Sequence, residues 1–390
     1  MDKLLSGGNE IHGHFQAYVD AARSEGELHS IGADIWAISY PSCEWLMREK
    51  AIESAGTYTE YFGGRASALA KLQESWLETS RGSTHEARRS ISNRAFRDKA
   101  LNSHIIRRIP EIIGSGLERI GIPFQGDFVS AYSTPIGDEL ILEWVGIPAD
   151  LHEPFMEAAH RVGLTVGAKV DDDDPSIGSA SAALEDILPA MLKLWRSNSM
   201  PIGLMAALRA ANVSAGAPLT DLEGVSCVLN FAFNAELFEP LISNVVMELL
   251  SEASSEVWAL DSGTVDTLVY EVVRLATPSP LSLRQAVEDI KYKDTHISSG
   301  QWIVLYMAAA LRDPHHFSRA GAVDLNRGGT PFAFGAGSHT CLGGRMALQV
   351  AKSVLTILWS RYTVQLDGAI QWVGGPYRGV RQLPLYITRK

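Results

Sequence analysis

The sequence predicts a mainly α-helical fold with a small β-rich lobe. Apolar residues recur every three to four positions over most of the chain, the spacing of one helix face. Strand-like pieces are short and gather near the two ends. Strands and helices do not alternate, which speaks against a doubly wound parallel sheet.

In chain order, helical periodicity covers 43–54, 65–79, 84–97, 102–119, 137–145, 179–197, 201–211, 221–251, 264–276 and 344–361. Strand character is confined to Ile35–Ser39, Leu281–Gln285, Ile297–Val304 and Val364–Leu366, with Pro384–Ile387 closing a hairpin. The 221–251 helix opens with a capping box, Thr220-x-x-Glu223. At 1.5 Å per residue it would run roughly 45 Å, enough to cross a whole domain. The acidic run Asp171–Asp174, ahead of Pro175 and Gly178, reads as a solvated connector. Ala215–Pro218 breaks the chain, and the Gly- and Pro-rich stretch Arg319–Ala336 reads as a functional loop. With no repeat, low-complexity tract or linker-like shift in composition, residues 1–390 read as a single domain.

Composition narrows the class. Apolar residues make up 46% and charged residues 20%, a globular balance with ample material for a core. The formal net charge of -11 speaks against a general nucleic-acid binder and against an anionic membrane surface. Three cysteines exclude a disulfide scaffold and fit a reducing compartment. No signal-peptide pattern and no run of about 18 apolar residues is visible, so the expectation is a cytoplasmic protein.

The strongest local signal is Phe334-Gly335-Ala336-Gly337-Ser338-His339-Thr340-Cys341-Leu342-Gly343-Gly344, followed at once by a helical pattern. A cysteine just before a helix start faces unpaired N–H groups and the positive end of the macrodipole. Both favour thiolate, the form that a metal or a nucleophilic mechanism needs. The glycines let the backbone turn tightly and let a flat object approach. A cysteine nucleophile would use His339 as base. A zinc site lacks further ligands, since Cys43 and Cys227 are isolated. A phosphate loop would need a lysine that is absent. A buried cysteine beside a glycine turn is the plain structural alternative.

The segment resembles the haem-binding loop of the cytochrome P450 family, F-G-x-G-x-H-x-C-x-G, matched at every fixed position from Phe334 to Gly343. The resemblance implies that Cys341 is the axial thiolate of a haem iron, in a loop shaped by Gly335 and Gly343. It also implies that Phe334 packs beside the sulfur and that His339 bonds a haem propionate. Further motifs follow in the family's order from about residue 35 to the C-terminus. Glu271-Val272-Val273-Arg274 matches the family's E-x-x-R pair, and its apolar flanks suggest burial that needs a third partner. Arg327 stands where the family completes that pair. The implied role of Glu271, Arg274 and Arg327 is to hold the loop that positions Cys341. Arg284 on a strand, and His85 with Arg89 four apart on one helix face, stand where the family contacts the two propionates. Ala308–Pro314 and Phe317 resemble the segment before the loop.

The long helix departs from the family pattern. Aligning Ser243-Asn244 with the family's usual Gly-Asn puts Glu236 at the acid and Leu237 at the threonine that handle water and protons for dioxygen. Phe233 and Asn234 then take the small-residue positions, and no register places Ser or Thr at the threonine. The nearest hydroxyls on this helix are Ser226 and Ser243. Pro240 cannot donate to the carbonyl of residue 236, so the helix should kink or open at Glu236.

The resemblance thus implies the P450-type helical prism with a small β-rich lobe, and haem b lying between the helix after Cys341 and Phe233–Leu237. The expected activity is that of an oxidoreductase, a monooxygenase tailoring a small, largely apolar natural product in a pocket lined by Phe231, Phe233 and Leu237. The pocket's roof is expected from 65–82 and 160–215. A ferredoxin and its reductase are the implied electron donors, docking on Arg88, Arg94, Arg345 or Lys352. Two alternatives stand beside this. One is an enzyme that uses peroxide, or that couples, cyclises or rearranges without inserting oxygen; the other is a non-catalytic haem-binding protein.

Overall fold

A computed structural model describes residues 20, 23–54, 68–163, 165, 175–197, 200–251, 264–327, 332–372 and 379–390. The acidic run Asp171–Asp174, residues 65–67 of the second expected helix and part of the Arg319–Ala336 loop lie outside the described residues.

The chain begins with β1 (Leu28–Ile31), β2 (Asp34–Ala37), α1 (Tyr40–Arg48), β3 (Ile52–Ser54), α2 (Ala68–Gln73), α3 (Gly82–Phe96), α4 (Lys99–Arg119) and β4 (Phe124–Asp127). A wide helical turn at Val129–Ser133 leads into α5 (Thr134–Val145), α6 (His152–Gly163), α7 (Pro175–Arg196) and α8 (Leu204–Val213). Next come α9 (Asp221–Ala235), α10 (Phe238–Ser251) and α11 (Val265–Ala276). Short strands follow: β5 (Ser282–Ala286), β6 (Ile290–Tyr292), β7 (Thr295–Ile297) and β8 (Trp302–Leu305), then the single turn α12 (Met307–Ala310). Last are α13 (Gly344–Arg361), β9 (Tyr362–Leu366), β10 (Gln371–Trp372), β11 (Val380–Gln382) and β12 (Pro384–Arg389).

The described residues divide into two compact units that the chain crosses repeatedly. The first comprises residues 1–53, 110–136 and 237–390. It holds the sheet β1-β2-β8-β5-β3, in which β2 and β8 run parallel, and β1 with β2 and β5 with β8 antiparallel. Ile35, Ala37, Ile303 and Leu305 from that sheet pack with Leu46, Leu311 and Phe332 in a buried cluster. In the same unit α10, α11 and α13 pack on one another. The second unit comprises 54–109 and 137–236. There α7 packs on α6 and α9, and α8 packs on α3 and α9.

Several boundaries move for local reasons. The expected helix 43–54 starts at Tyr40, because Ser39 caps it through the Ser42 N–H at 3.2 Å and Pro41 suits its first turn. It ends at Arg48, and Ile52–Ser54 is a strand instead. Ile297–Val304 is two strands parted by a turn whose Gly300 takes φ +82°. Pro384–Ile387 does not close a simple hairpin: β12 is the centre of a three-stranded sheet between β4 and β9. Helix α6 carried no sequence expectation at all. Helix 221–251 is two helices with Glu236 and Leu237 between them. Pro240 sits in the first turn of α10, where a missing N–H costs no helical bond, so the helix stops and restarts. The stretch Asp221–Leu250 is long and apolar enough to cross a membrane, but 72% of it is buried in the protein, as in a core helix.

One turn fixes the Cys341 loop against the end of α1. Gly337 has φ +71°, and an added Cβ would stand 2.5 Å from the Met47 carbonyl oxygen. Gly337→Ala should therefore destabilise the haem-loaded protein by about 1–3 kcal/mol or more. Gly178→Ala in α7, which meets open space, should be neutral or gain up to about 1 kcal/mol. Thermal unfolding of the two variants checks the contrast.

Candidate functional site

Cys341 is exposed and lies two residues before Gly343, the N-cap of the 18-residue α13. Its N–H donates to the Phe334 carbonyl at 2.8 Å, and the Gly335 N–H donates to that of Phe332 at 2.8 Å. Thr340 Oγ1 donates to the Gly337 carbonyl at 2.8 Å. These bonds close the loop on itself and leave the sulfur outside. A Cβ on Gly343 would lie 3.8 Å from Cys341 Sγ, and one on Gly344 would lie 3.2 Å from the Phe334 ring. Phe334 therefore covers the first turn of α13, and no side chain crowds the sulfur from Gly343. His339 is half-buried in the short turn Gly337–His339. A soft donor held at the positive end of a helix and flanked by glycines fits a thiolate-ligated, flat metal group. These residues therefore fit a haem.

The other two thiols are built differently. Cys43 is fully buried, donates to the Ala37 carbonyl at 3.3 Å, and burial pushes its thiol far above the usual range. Burial pushes the Cys227 thiol up to about 12. In haem-free protein, iodoacetamide at mildly alkaline pH should label Cys341 alone, and haem loading should abolish that label. Peptide mass mapping checks both.

The E-x-x-R pair lies at the bottom of the same unit's core. Arg274 has 0% exposure, and its Nε and Nη2 donate to Glu271 Oε1 and Oε2 at 2.9 and 3.0 Å. Its remaining donors reach the carbonyls of Leu311 and Ala320, both at 2.7 Å, and of Ala322 at 3.0 Å. Arg327 Nε lies 2.9 Å from Glu271 Oε1, and Glu271 Oε2 also accepts from the Asp324 N–H at 3.0 Å. The Phe317 ring stands 5.0 Å from the Arg274 guanidinium and 5.1 Å from that of Arg327. The structure thus brings together the three residues that the sequence grouped. Arg274→Ala leaves a buried carboxylate short of its bidentate partner and should cost about 3–5 kcal/mol. Denaturant unfolding with haem release followed in parallel checks this.

The other expected contacts are more scattered. Arg284 Nη1 donates to Ser282 Oγ at 2.8 Å and to the Leu283 carbonyl at 2.7 Å. His85 is buried and Arg89 half-buried, one turn apart on α3. Arg88 corrects an expectation: it is no surface docking residue but a buried side chain, paired with Glu223 at 3.0 Å. Arg94 donates to the Ser214 carbonyl at 3.3 Å, and Lys352 pairs with Asp266 at 2.5 Å. Arg345 is exposed at the start of α13.

Around the helix break, Phe233 is buried against Trp76, with ring centroids 5.9 Å apart. Phe231 faces elsewhere, its ring 5.0 Å from that of Phe96, so the two do not share one aromatic wall. Asn234 is exposed and donates to Glu78 Oε2 at 3.1 Å and to the Asn230 carbonyl at 2.9 Å. Ser226 donates to the Leu72 carbonyl at 2.8 Å, and Ser243 to Glu239 Oε1 at 3.0 Å. Both helix hydroxyls are therefore engaged in structural bonds. Leu237 and Pro240 are half-buried. Glu236 caps α9 and is half-buried, 3.7 Å from His160 Nε2. Sequence reasoning missed His160 and its second neighbour Asp138. The i, i+3 spacing of Glu157 and His160 on an amphipathic stretch was the only available signal.

Fold and cysteine loop together define the haem-thiolate class with the cytochrome P450 fold. The family model described as "Cytochrome P450" matches residues 264–371, the span from Glu271 through Cys341. A vitamin D(3) 25-hydroxylase of Pseudonocardia autotrophica is 26% identical over 313 residues, 77% of this chain and 75% of that protein. P450 RauA, solved with a biosynthetic intermediate of aurachin RE, superposes with a TM-score of 0.85 at 20% identity, covering 98% of both chains. Epothilone D-bound P450epoK superposes at 0.84 with 20% identity and the same coverage. Together these matches support a bacterial-type cytochrome P450, a class whose members are oxidoreductases, mostly monooxygenases.

Proposed function

We propose that this chain is a haem b monooxygenase acting on a small, largely apolar natural product, and that residues 1–390 act as one catalytic domain. The observation that carries the reading is the exposed Cys341 thiol, held by a self-closed glycine loop at the start of α13. When bound, the haem supplies an iron at which dioxygen is activated, with the cysteine thiolate as an electron-rich donor that favours O–O cleavage. The protein's part is to hold the sulfur, orient the substrate and supply protons. Cys341 is the ligand, and N–H groups at Leu342–Gly344 tune the sulfur. Phe334, Gly335 and Gly343 shape the loop; His339, Arg284, His85 and Arg89 hold the propionates. Glu271, Arg274 and Arg327 keep the loop in place.

Glu236 is the proton-handling group, at a helix end that Pro240 makes possible, with Asn234 beside it. Leu237 stands where a hydroxyl would otherwise bind water, so proton supply depends on the carboxylate and ordered water. Phe231, Phe233 and Leu237 give the apolar character of the substrate side. A ferredoxin and its reductase supply electrons in the cytoplasm. The natural-product class is supported by the relatives: one solved neighbour holds a biosynthetic intermediate of aurachin RE and another holds epothilone D. A peroxide-driven reaction is the second reading, favoured by Leu237 and by the engagement of Ser226 and Ser243 in structural bonds.

A screen of substrate-induced shifts in the haem spectrum finds a ligand, and single turnover with labelled dioxygen then tests insertion. Label in the product upholds the monooxygenase; unlabelled product with peroxide as sole competent oxidant replaces it with the second reading. Under electron supply, Leu237→Thr should lower peroxide release several-fold, and Glu236→Gln should raise it, since one positioned proton donor contributes about 10²-fold or more. Peroxide per electron pair is the measurement.

A further inference from the structure

We infer that His160 is the positioning residue for Glu236, a protonatable clamp in which one imidazole nitrogen stands between Glu236 and Asp138. The inference rests on the proposed role of Glu236 as proton-handling group and adds the residue that controls it. Helix α9 ends at Glu236, whose N–H still reaches the Phe233 carbonyl at 3.2 Å, so the side chain leaves from a helix end. It lies along α6: a Cβ on Gly163 would be 3.8 Å from Glu236 Cγ and Oε2. One turn back on α6, His160 Nε2 is 3.7 Å from Glu236 Oε1 and 3.0 Å from Asp138 Oδ1 on α5. Asp138 and Glu236 are half-buried, the His160 side chain is 44% exposed, and their facing atoms all lie within 4.8 Å of one another.

A single N–H cannot satisfy two carboxylates, so charge decides the geometry. With His160 protonated, the three groups sum to one negative charge and both carboxylates are drawn to the ring. With it neutral they carry two like charges at close range, and the ring holds Glu236, at 3.7 Å, less than Asp138, at 3.0 Å. Glu157 and Arg161, on the same helix, pair with each other, and Arg161 Nη1 also donates to Ser179 Oγ of α7 at 2.7 Å. The bond to Asp138, joined by the charge of Glu236, raises the His160 pKa above 6.5 against partial burial. The sign follows: the clamp is complete below pH 6.5 and is lost as pH rises through the folded-state value.

The test is a histidine NMR titration of the ferrous carbon monoxide holoprotein, with the His160 resonance assigned by His160→Gln. Peroxide release per electron pair is measured over the same pH range. Glu236→Gln and Asp138→Asn should each lower the His160 midpoint by roughly half a unit or more. Wild-type peroxide release should rise through the His160 midpoint. His160→Gln should hold it at the high level throughout, and His160→Lys should hold it low to higher pH. A His160 midpoint that Glu236→Gln leaves unmoved overturns the clamp, whatever peroxide does. A midpoint that moves while Glu236→Gln leaves peroxide release unchanged overturns the role of Glu236 itself, with the contact intact.

Discussion

A guanidinium with no solvent exposure is the constraint on which the first unit depends. Arg274 cannot be buried uncompensated, since an unpaired charge in a protein interior costs several kcal/mol. Its donors are met by one carboxylate and three main-chain carbonyls drawn from Leu311, Ala320 and Ala322. Satisfying them gathers Leu311, Ala320 and Ala322 around one guanidinium, in a stretch that has no helix or strand of its own. Glu271 serves twice, because it also meets Arg327 and the Asp324 N–H. Tyr40 carries the order outward: it stacks on His316 at 3.6 Å and meets Phe317 and Phe332 edge-on. Its N–H donates to Asp313 Oδ2 at 2.9 Å, so α1 is fastened to the same segment. From Phe332 the loop runs directly to Phe334, whose carbonyl fixes Cys341.

What could be read from the sequence follows from which interactions are local. The Cys341 loop is a contiguous string, in which Gly335 and Gly337 take positive φ, so it was legible from local sequence. Glu271 and Arg274 share one helix face, and their apolar flanks already implied burial. The position of Arg327 was legible only through resemblance, because nothing local ties residue 327 to residue 271. Helix α6 was missed: its apolar stripe (Phe155, Met156, Ala159, Val162) is short and interrupted by Pro154, His160 and Arg161. The His160 cluster was out of reach for the same reason, since it joins three helices that are separate in sequence. The burial of Arg88 was hidden too, because a charge run reads as a solvated face until the partner, here Glu223, is placed.

Proline shows how one residue can be read correctly in mechanism yet not in outcome. Pro240 implies that the carbonyl of residue 236 loses its donor, and the helix does open there. The sequence suggested a kink within one rod, whereas the chain stops and starts again. Restarting puts Pro240 in a first turn, the one helical position where its lack of an N–H is harmless. The restarted helix is then anchored independently: Asn244 Nδ2 donates to the Ala276 carbonyl at 3.1 Å, at the end of α11. Two residues beyond Arg274, that carbonyl belongs to the helix that carries the buried ion pair. The break therefore leaves α10 tied to the helix that carries the buried ion pair.

A helix end at Glu236 changes what a carboxylate there can do. In a continuous helix the side chain would point in a direction fixed by its neighbours one turn away, and its carbonyl would be spoken for. At a terminus the carboxylate can lean away from the axis, here toward α6, where Gly163 offers room and His160 a charge. Leu237 brings no hydroxyl, Ser226 is bonded to the Leu72 carbonyl, and Ser243 is bonded to Glu239, which leaves Glu236 as the carboxylate that faces His160. Asn234, turned to Glu78, adds no competing charge beside it. The departures at 233, 234, 237 and 240 thus fall together around one helix break, whose carboxylate, Glu236, is the group that the proposed function assigns to proton handling.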